Sequence, residues 1–253
     1  MNHVEAAKAG FEAAFAEGTY YDRQTQDAAH LNAILALLPV RAGMRILDLG
    51  TGSGYLAFAL AAHDPDAAVT GLDIAEKTLA QNRVRAEREE RSNLHFAAYD
   101  GMDFPFADSA FDMVVSRYSF HHFPDADHSI SEVSRVLTEN GYFFLSDPAP
   151  NDCDSAGFAD AYMRVKPDGH NRFYTKQDWL TLCGRHGFRL ADSFCSSIRF
   201  PRKNAPVYQD ILQRFDRAIA ESYRVQIIGD EIYITEQVNN LLFCKNAAKE
   251  ASA

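Results

Sequence analysis

No run of this chain approaches the roughly 20 apolar residues that a membrane span requires. Its first fifteen residues, alanine-rich but carrying Glu5, Lys8 and Glu12, lack the apolar centre of a secretory signal. Cysteines are few: Cys153, Cys183, Cys195 and Cys244 are too scattered to form a paired metal-ligand motif and read as thiols of a reducing compartment. Long blocks of one charge are also missing. The 35 acidic and 25 basic residues are interspersed and leave a formal charge of −10. Such a surface repels phosphate backbones, which counts against nucleic acid as a partner without forbidding a local basic patch. There is no internal repeat, low-complexity tract or interdomain linker, and tryptophan occurs once, at position 179. These absences point to a soluble cytoplasmic protein with no membrane partner. With 253 residues, 47% of them hydrophobic, it can bury one large core or two small ones.

The patterning that is present changes character along the chain. Residues 2–17 read as a short amphipathic helix, broken by Gly18-Thr19-Tyr20-Tyr21-Asp22. Apolar residues at 28, 31, 34, 35 and 38 predict a second helix over 22–38, closed by Pro39 and Gly43. From there strands and helices alternate. Strands are expected at 45–49, 68–72, 94–98, 111–116 and 141–146, with helices at 55–62, 76–91 and 127–137. Alternation of this kind means a doubly wound, mostly parallel sheet with helices on both faces. Residues 147–174 carry little regular signal, the kind of long connection that is functional or mobile. A helix is expected next at 175–186, then a sixth strand at 188–196, an amphipathic helix at 206–223, and two late strands at 231–235 and 240–245. The division is one domain, 1–253, with an N-terminal helical cap (1–42), a cofactor-binding core (43–150) and an acceptor-covering, C-terminal sheet region (151–253).

The densest signal is Ile46-Leu47-Asp48-Leu49-Gly50-Thr51-Gly52-Ser53-Gly54, an apolar run entering a glycine loop. Asp73 stands at the end of a second apolar run. This is the outline of a strand–loop–helix–strand unit that holds a nucleoside-bearing cofactor. A dinucleotide site wants G-x-G-x-x-G, its third glycine allowing close helix packing and its helix N-terminus facing a pyrophosphate. Here the spacing is G-x-G-x-G and position 55 is tyrosine. Asp48 would repel a pyrophosphate, whereas S-adenosylmethionine carries no phosphate and brings a sulfonium and an ammonium group.

At these residues the chain resembles the class I S-adenosylmethionine-dependent methyltransferases, in the small-molecule branch related to ubiquinone and menaquinone biosynthesis enzymes. Asp48-x-Gly50-x-Gly52-x-Gly54 is similar to that family's first motif, and Leu72-Asp73-Ile74 to its second. Ala98-Tyr99-Asp100-Gly101-Met102 resembles the adenine-contacting segment, and Phe111–Ser116 the fourth strand. His121-His122-Phe123 and the segment 132–137 are similar to the helical region after that strand. The resemblance implies a Rossmann-like, seven-stranded sheet with an antiparallel last strand and insertions after strands 5 and 6. It also implies that Asp73 accepts the ribose hydroxyls, Ile74 packs on adenine, and Asp100 accepts from the adenine amino group beside Gly101 and Met102. Gly50, Thr51 and Gly52 would let the backbone approach the methionine moiety. Tyr20 or Tyr21, from a helix folded over the cofactor, is placed either to touch the sulfonium or carboxylate or simply to staple a helix start.

The methyl acceptor is a less legible matter. Methyl transfer is an in-line displacement that needs alignment and exclusion of water, and needs a base only where the acceptor loses a proton. His121 and His122 come after the fourth strand, where an acceptor lies in an open parallel sheet, and are the candidate catalytic residues. On extended chain only one of the pair would face the cleft. Arg117 is read as a partner of the cofactor carboxylate or of an anionic acceptor, against a surface salt bridge. No metal is expected: related metal-dependent enzymes place carboxylates at the ends of strands four and five, and here Ser116-Arg117 stands at the fourth, with only Asp147 at the fifth. The segment 116–119 lacks the Asn/Asp-Pro-Pro-aromatic signature of base methylation, and no cysteine has the Pro-Cys context of cytosine chemistry. The expected partner is therefore a small organic acceptor, with the oligomeric state open and a dimer allowed. Two alternatives stand beside this reading: an NAD(P)-dependent oxidoreductase and a non-catalytic S-adenosylmethionine-binding protein.

Overall fold

The computed structural model describes Lys8, Gly10 and residues 25–166 and 168–247. Tyr20, Tyr21, Arg23 and, apart from Lys8 and Gly10, the helix expected over 2–17 lie outside these residues. The second helix, α1, spans Ala28–Leu37, later than its expected start at 22. The reason is local: the Asp27 carboxylate accepts from the Ala29 and His30 N–H groups at 2.9 and 3.0 Å and caps the helix there.

The expected alternation comes next, in order. It runs β1 (Arg45–Leu49), α2 (Tyr55–His63), β2 (Ala68–Asp73), α3 (Glu76–Arg88), β3 (Leu94–Ala98), β4 (Phe111–Arg117), α4 (Ala126–Val136) and β5 (Leu137–Ala149). With β6 at Phe188–Lys203 and β8 at Glu231–Lys245, the strand order is β3-β2-β1-β4-β5-β8-β6, β1 through β5 being parallel and β8 antiparallel to its neighbours. The antiparallel last strand is thus as expected. An eighth strand, β7 (Gln226–Ile228), pairs with β8 in addition to the seven anticipated.

Burial on both faces explains why the central strands are nearly all apolar. Leu47, Val114, Phe143 and Leu241 enter one core, against α4 and α6 (Lys176–Arg185). Their neighbours Ile46, Met113, Val115, Phe144 and Leu242 enter the other, against α1, α2 and α3. Trp179 of α6 is fully buried, edge-on to Phe120 with ring centroids 5.5 Å apart. That contact fixes the short 3₁₀ turn Phe120–His122 after β4.

Four expectations about the second half require correction. Residues 147–174 contain a short helix, α5 (Phe158–Met163). The single helix expected over 206–223 is two, α7 (Pro206–Arg214) and α8 (Arg217–Ser222), because Asp216 caps a new start by accepting from the Ala218 N–H at 2.8 Å. The two late strands are one continuous β8, and β6 runs from Phe188 to Lys203, well past the expected end at 196. Beyond Ala149↔Gln237, where the pairing with β5 stops, β8 continues paired with β6. This ribbon stands off the sheet and, with α5, α7 and α8, encloses a third cluster that includes Phe158, Tyr162, Phe200, Tyr223, Ile232 and Ile234.

Candidate active site

The sheet reverses its order between β1 and β4, and a cleft of about 1460 Å³, its open mouth included, lies outside the carboxyl ends of the strands at that point. The glycine loop after β1 forms its floor. Gly50 and Thr51 donate N–H bonds to Leu72 O at 2.8 and 3.1 Å, and the Asn82 amide donates to Gly52 O at 2.8 Å. Gly50 is obligatory: its φ is +70°, and a Cβ there would meet Ser119 Cβ and Oγ at 2.5 Å. Ser116 and Ser119 in turn donate to Leu49 O at 2.9 and 3.2 Å, which ties the end of β4 to the loop.

Two buried carboxylates face this loop. Asp48 accepts from Thr51 Oγ1 at 2.7 Å, and burial pushes it up to about 7. Asp73 accepts the Gly52 N–H at 2.8 Å through Oδ2 and the Ala75 N–H at 2.9 Å through Oδ1, and burial raises it also. The Ile74 N–H also bonds this carboxylate, which leaves lone-pair capacity for a ligand. Ile74, Tyr99 and Gly101 continue the wall, Gly101 with φ +92°. Asp100 and Met102 are not among the lining residues: Met102 is 36% exposed, and Asp100 Oδ1 accepts from the N–H groups of Met102 and Asp103 at 2.9 and 3.1 Å. Asp100 therefore shapes the segment, with Oδ2 remaining for a ligand at the rim.

Arg117 differs from its surface alternative. Its guanidinium is largely buried, lies over the Tyr55 and Tyr118 rings at 5.0 and 4.0 Å, and donates through Nη2 to Thr25 O at 2.5 Å. Its Nε is buried without a hydrogen-bond partner, and among the described residues it forms no ion pair. Tyr118 holds a φ of +58°, a strained position at the cleft wall.

His121 and His122 both line the cleft, contrary to the expectation that one would turn away. The alternation argument fails because they sit on a 3₁₀ turn rather than on extended chain, with ring centroids 4.0 Å apart. His121 Nδ1 lies 2.9 Å from Asp147 Oδ1, and neither side chain is more than a few per cent exposed. Burial lowers both imidazoles to about 3 and raises Asp147 to about 8, so the pair avoids charge at neutral pH.

Past the histidines the cleft enters a second half, mostly walled by the 151–253 region expected to cover an acceptor, though its lining residues were not singled out. Its wall comes from Pro148, Met163 and Asp168, and from Ile198, Phe200, Arg202 and Glu236 on the β6–β8 ribbon. Asp168 pairs with Lys166 at 3.2 Å. Among the described residues no group of three or more histidine, cysteine or carboxylate side chains is placed to hold a metal ion.

The floor fits S-adenosylmethionine better than a dinucleotide. Its Cβ-free approach at Gly50 and its two buried carboxylates suit a cation-bearing nucleoside, and a pyrophosphate would meet Asp48. Comparisons with known proteins agree. The 27-O-demethylrifamycin SV methyltransferase of Amycolatopsis mediterranei is 37% identical over 115 residues, 45% of this chain and 42% of that protein. The demethylmenaquinone methyltransferase of Thermus thermophilus is 35% identical over 129 residues, 50% of this chain and 58% of that protein. The chain thus spans about half the length of these relatives. The crystal structure of the YcgJ protein of Bacillus subtilis superposes with a TM-score of 0.77 at 20% identity, covering 88% of this chain and all of that one, which establishes the shared fold. The family described as a methyltransferase domain matches residues 41–182, more than half the chain. The chain belongs to the methyltransferase-domain family, whose cofactor is S-adenosylmethionine.

Proposed function

We propose that the protein transfers the methyl group of S-adenosylmethionine to a small organic acceptor. The observation that carries this is the convergence of Asp48, Asp73 and the Gly50 loop at the switch point, opening into a second, separately walled half of the same cleft. Bound there, the cofactor supplies a methyl group already activated by its sulfonium. Asp73 would hold the ribose hydroxyls, Ile74, Tyr99 and Gly101 the adenine, Asp48 the cationic end, and Arg117 Nε the carboxylate. Residues 43–150 then form the cofactor half and 151–253 cover the acceptor. A net charge of −10 keeps the reading on small molecules. No described helix is long and apolar enough to cross a membrane. An oxidoreductase gains no support from the family.

A role for the histidine pair comes from its protonation. While Asp147 carries a proton, its hydrogen bond to Nδ1 leaves the neutral imidazole's own proton on Nε2. Once Asp147 ionises, His121 turns its N–H toward it and Nε2 becomes a proton acceptor. Transfer to an acceptor that must lose a proton is therefore expected to rise with pH through about 8. Asp147→Asn and His121→Ala should flatten that profile and lower the rate by about 100-fold. Calorimetry with S-adenosylmethionine, S-adenosylhomocysteine and NAD, followed by labelled-methyl transfer into a small-molecule extract, tests the reading. Binding of NAD in place of S-adenosylmethionine would overturn it, and cofactor binding with no labelled product would favour the non-catalytic alternative.

A further inference from the structure

The acceptor half of the cleft holds a guanidinium and a carboxyl that do not satisfy each other. Glu236 is 0% exposed, and both of its carboxyl oxygens lack a hydrogen-bond partner. Arg202 is 8% exposed. Among the described residues its guanidinium donates to Pro201 O at 3.3 Å and to Met163 Sδ at 3.9 Å, and its Nε has no partner. Both residues line the cleft, yet they form no ion pair with each other.

Their placement on the ribbon is ordered. In the antiparallel register Ile198 lies opposite Glu236, Phe200 opposite Ile234 and Arg202 opposite Ile232, so all six share one face. That face is apolar except for Arg202 and Glu236. Glu236 sits one residue past Gln237, the last β8 position paired with β5. The other charges around it are Arg202, Asp147 and Asp160, of which only Arg202 is a cation.

A buried carboxyl without a partner is costly, and an apolar residue of the same volume would serve the fold better. The same holds for the buried guanidinium nitrogen. Such groups persist where a ligand completes them. An aligned guanidinium and carboxyl, separated by an apolar floor of Phe200 and Ile198, complement a molecule with matching ends.

We infer that Arg202 and Glu236 form the acceptor-recognition subsite, taking a small acceptor that carries an oxyanion for Arg202 and a hydroxyl or amine hydrogen-bond donor for Glu236, joined by an apolar body. This rests on the proposed methyl transfer and names the class of its acceptor. Recognition is thereby separated from chemistry: the ribbon holds the far groups of the acceptor, and the His121–Asp147 pair stands beside the reacting atom. A neutral, purely apolar acceptor would leave the guanidinium and the carboxyl buried without a hydrogen-bond partner.

Two measurements test this. First, the ligand-free thermal midpoint of Glu236→Leu is compared with wild type. A carboxyl kept for a ligand predicts a midpoint raised by roughly 2–4 °C or more, the shift that removing a single unpaired buried group gives in a chain of this size. A lowered midpoint would show a structural partner and overturn the subsite. Second, label from S-adenosylmethionine is followed into a small-molecule extract and the product is passed over an anion exchanger. The expected product is retained. Its formation falls at least tenfold in Glu236→Leu and Arg202→Met, while calorimetric affinity for S-adenosylmethionine stays within twofold of wild type. A neutral product, formed equally by both variants, would overturn the inference. A wild type that fails to bind S-adenosylmethionine counts against the proposed function instead, and the thermal comparison then decides the subsite alone.

Discussion

At the scale of single residues, the informative groups are carboxyls held away from water. Asp48 is 2% exposed, and burial pushes it up to about 7, so near neutrality it is only partly ionised. A sulfonium and an ammonium favour its ionised form. Binding below that value therefore releases a proton, and affinity for S-adenosylmethionine should tighten as pH rises to about 7 and level off above it. Asp48→Asn should flatten the slope, and S-adenosylhomocysteine, which lacks the sulfonium charge, should show a shallower one; calorimetry across pH 5.5–8.5 checks both. Asp48, Gly50 and Asp73 were legible because their chemistry is carried within short, ordered segments of chain. Glu236 and Arg202 were not, since their meaning depends on which face of a ribbon they occupy. The one signal available was the alternation Ile232, Ile234, Glu236, Val238: an acid standing in the inward series of a strand.

Elements explain why that signal was missed. Val238-Asn239-Asn240 read as the join between two late strands, yet β8 runs straight through them. Asn240 is tolerated in the interior because its Oδ1 lies 2.8 Å from His30 Nε2 and its Nδ2 donates to Ser196 Oγ at 2.9 Å. Partners from α1 and β6 thus cancel a local preference for a turn. The parallel strands were read within a few residues because burial on both faces leaves them little choice but apolar sequence. The loop between β1 and α2 makes its own prediction. Gly50→Ala combines a left-handed backbone with a Cβ driven to 2.5 Å from Ser119, and should cost about 1–3 kcal/mol of stability along with cofactor affinity. Adding Ser119→Gly removes the collision but not the strained φ. The double variant should recover part of the melting temperature, and no recovery would place the conflict elsewhere.

For the whole molecule, the buried titratable groups set a pH of greatest stability. Asp48, Asp147 and Glu236 have folded values raised to about 7, 8 and 8, far above their unfolded ones. From about pH 4–4.5, where the unfolded chain releases these protons, up to their folded values, the folded state still holds them, so stability falls as pH rises. His121 and His122, lowered to about 3, act in the other direction: below about 6.5 the unfolded chain binds protons that the folded chain refuses. Three carboxyls outweigh two histidines, so ligand-free protein should be most stable near about pH 4–4.5, lose stability gently up to about 6.5 and more steeply toward pH 8. S-adenosylmethionine should offset much of the Asp48 share, and denaturant midpoints with and without it measure both effects. The general architecture was legible from the alternation of elements alone. The placement of 151–253 over an acceptor was an expectation from the chain; its form, residues 188–245 folding back as a ribbon over a segment forty residues upstream, was not legible because it rests on long-range pairing.

The continuity of β8 has a bearing on how this protein can be redesigned or can diverge. One end of the strand is locked between β5 and β6 in the interior of the sheet; the other, past Gln237, leaves the pairing with β5 and carries Glu236 to the far half of the cleft. Gln237 is thus a natural seam. A chimaera that takes residues 198–236 from a relative and keeps this chain on either side would exchange acceptor preference as a cassette, leaving the methyl-donor half untouched.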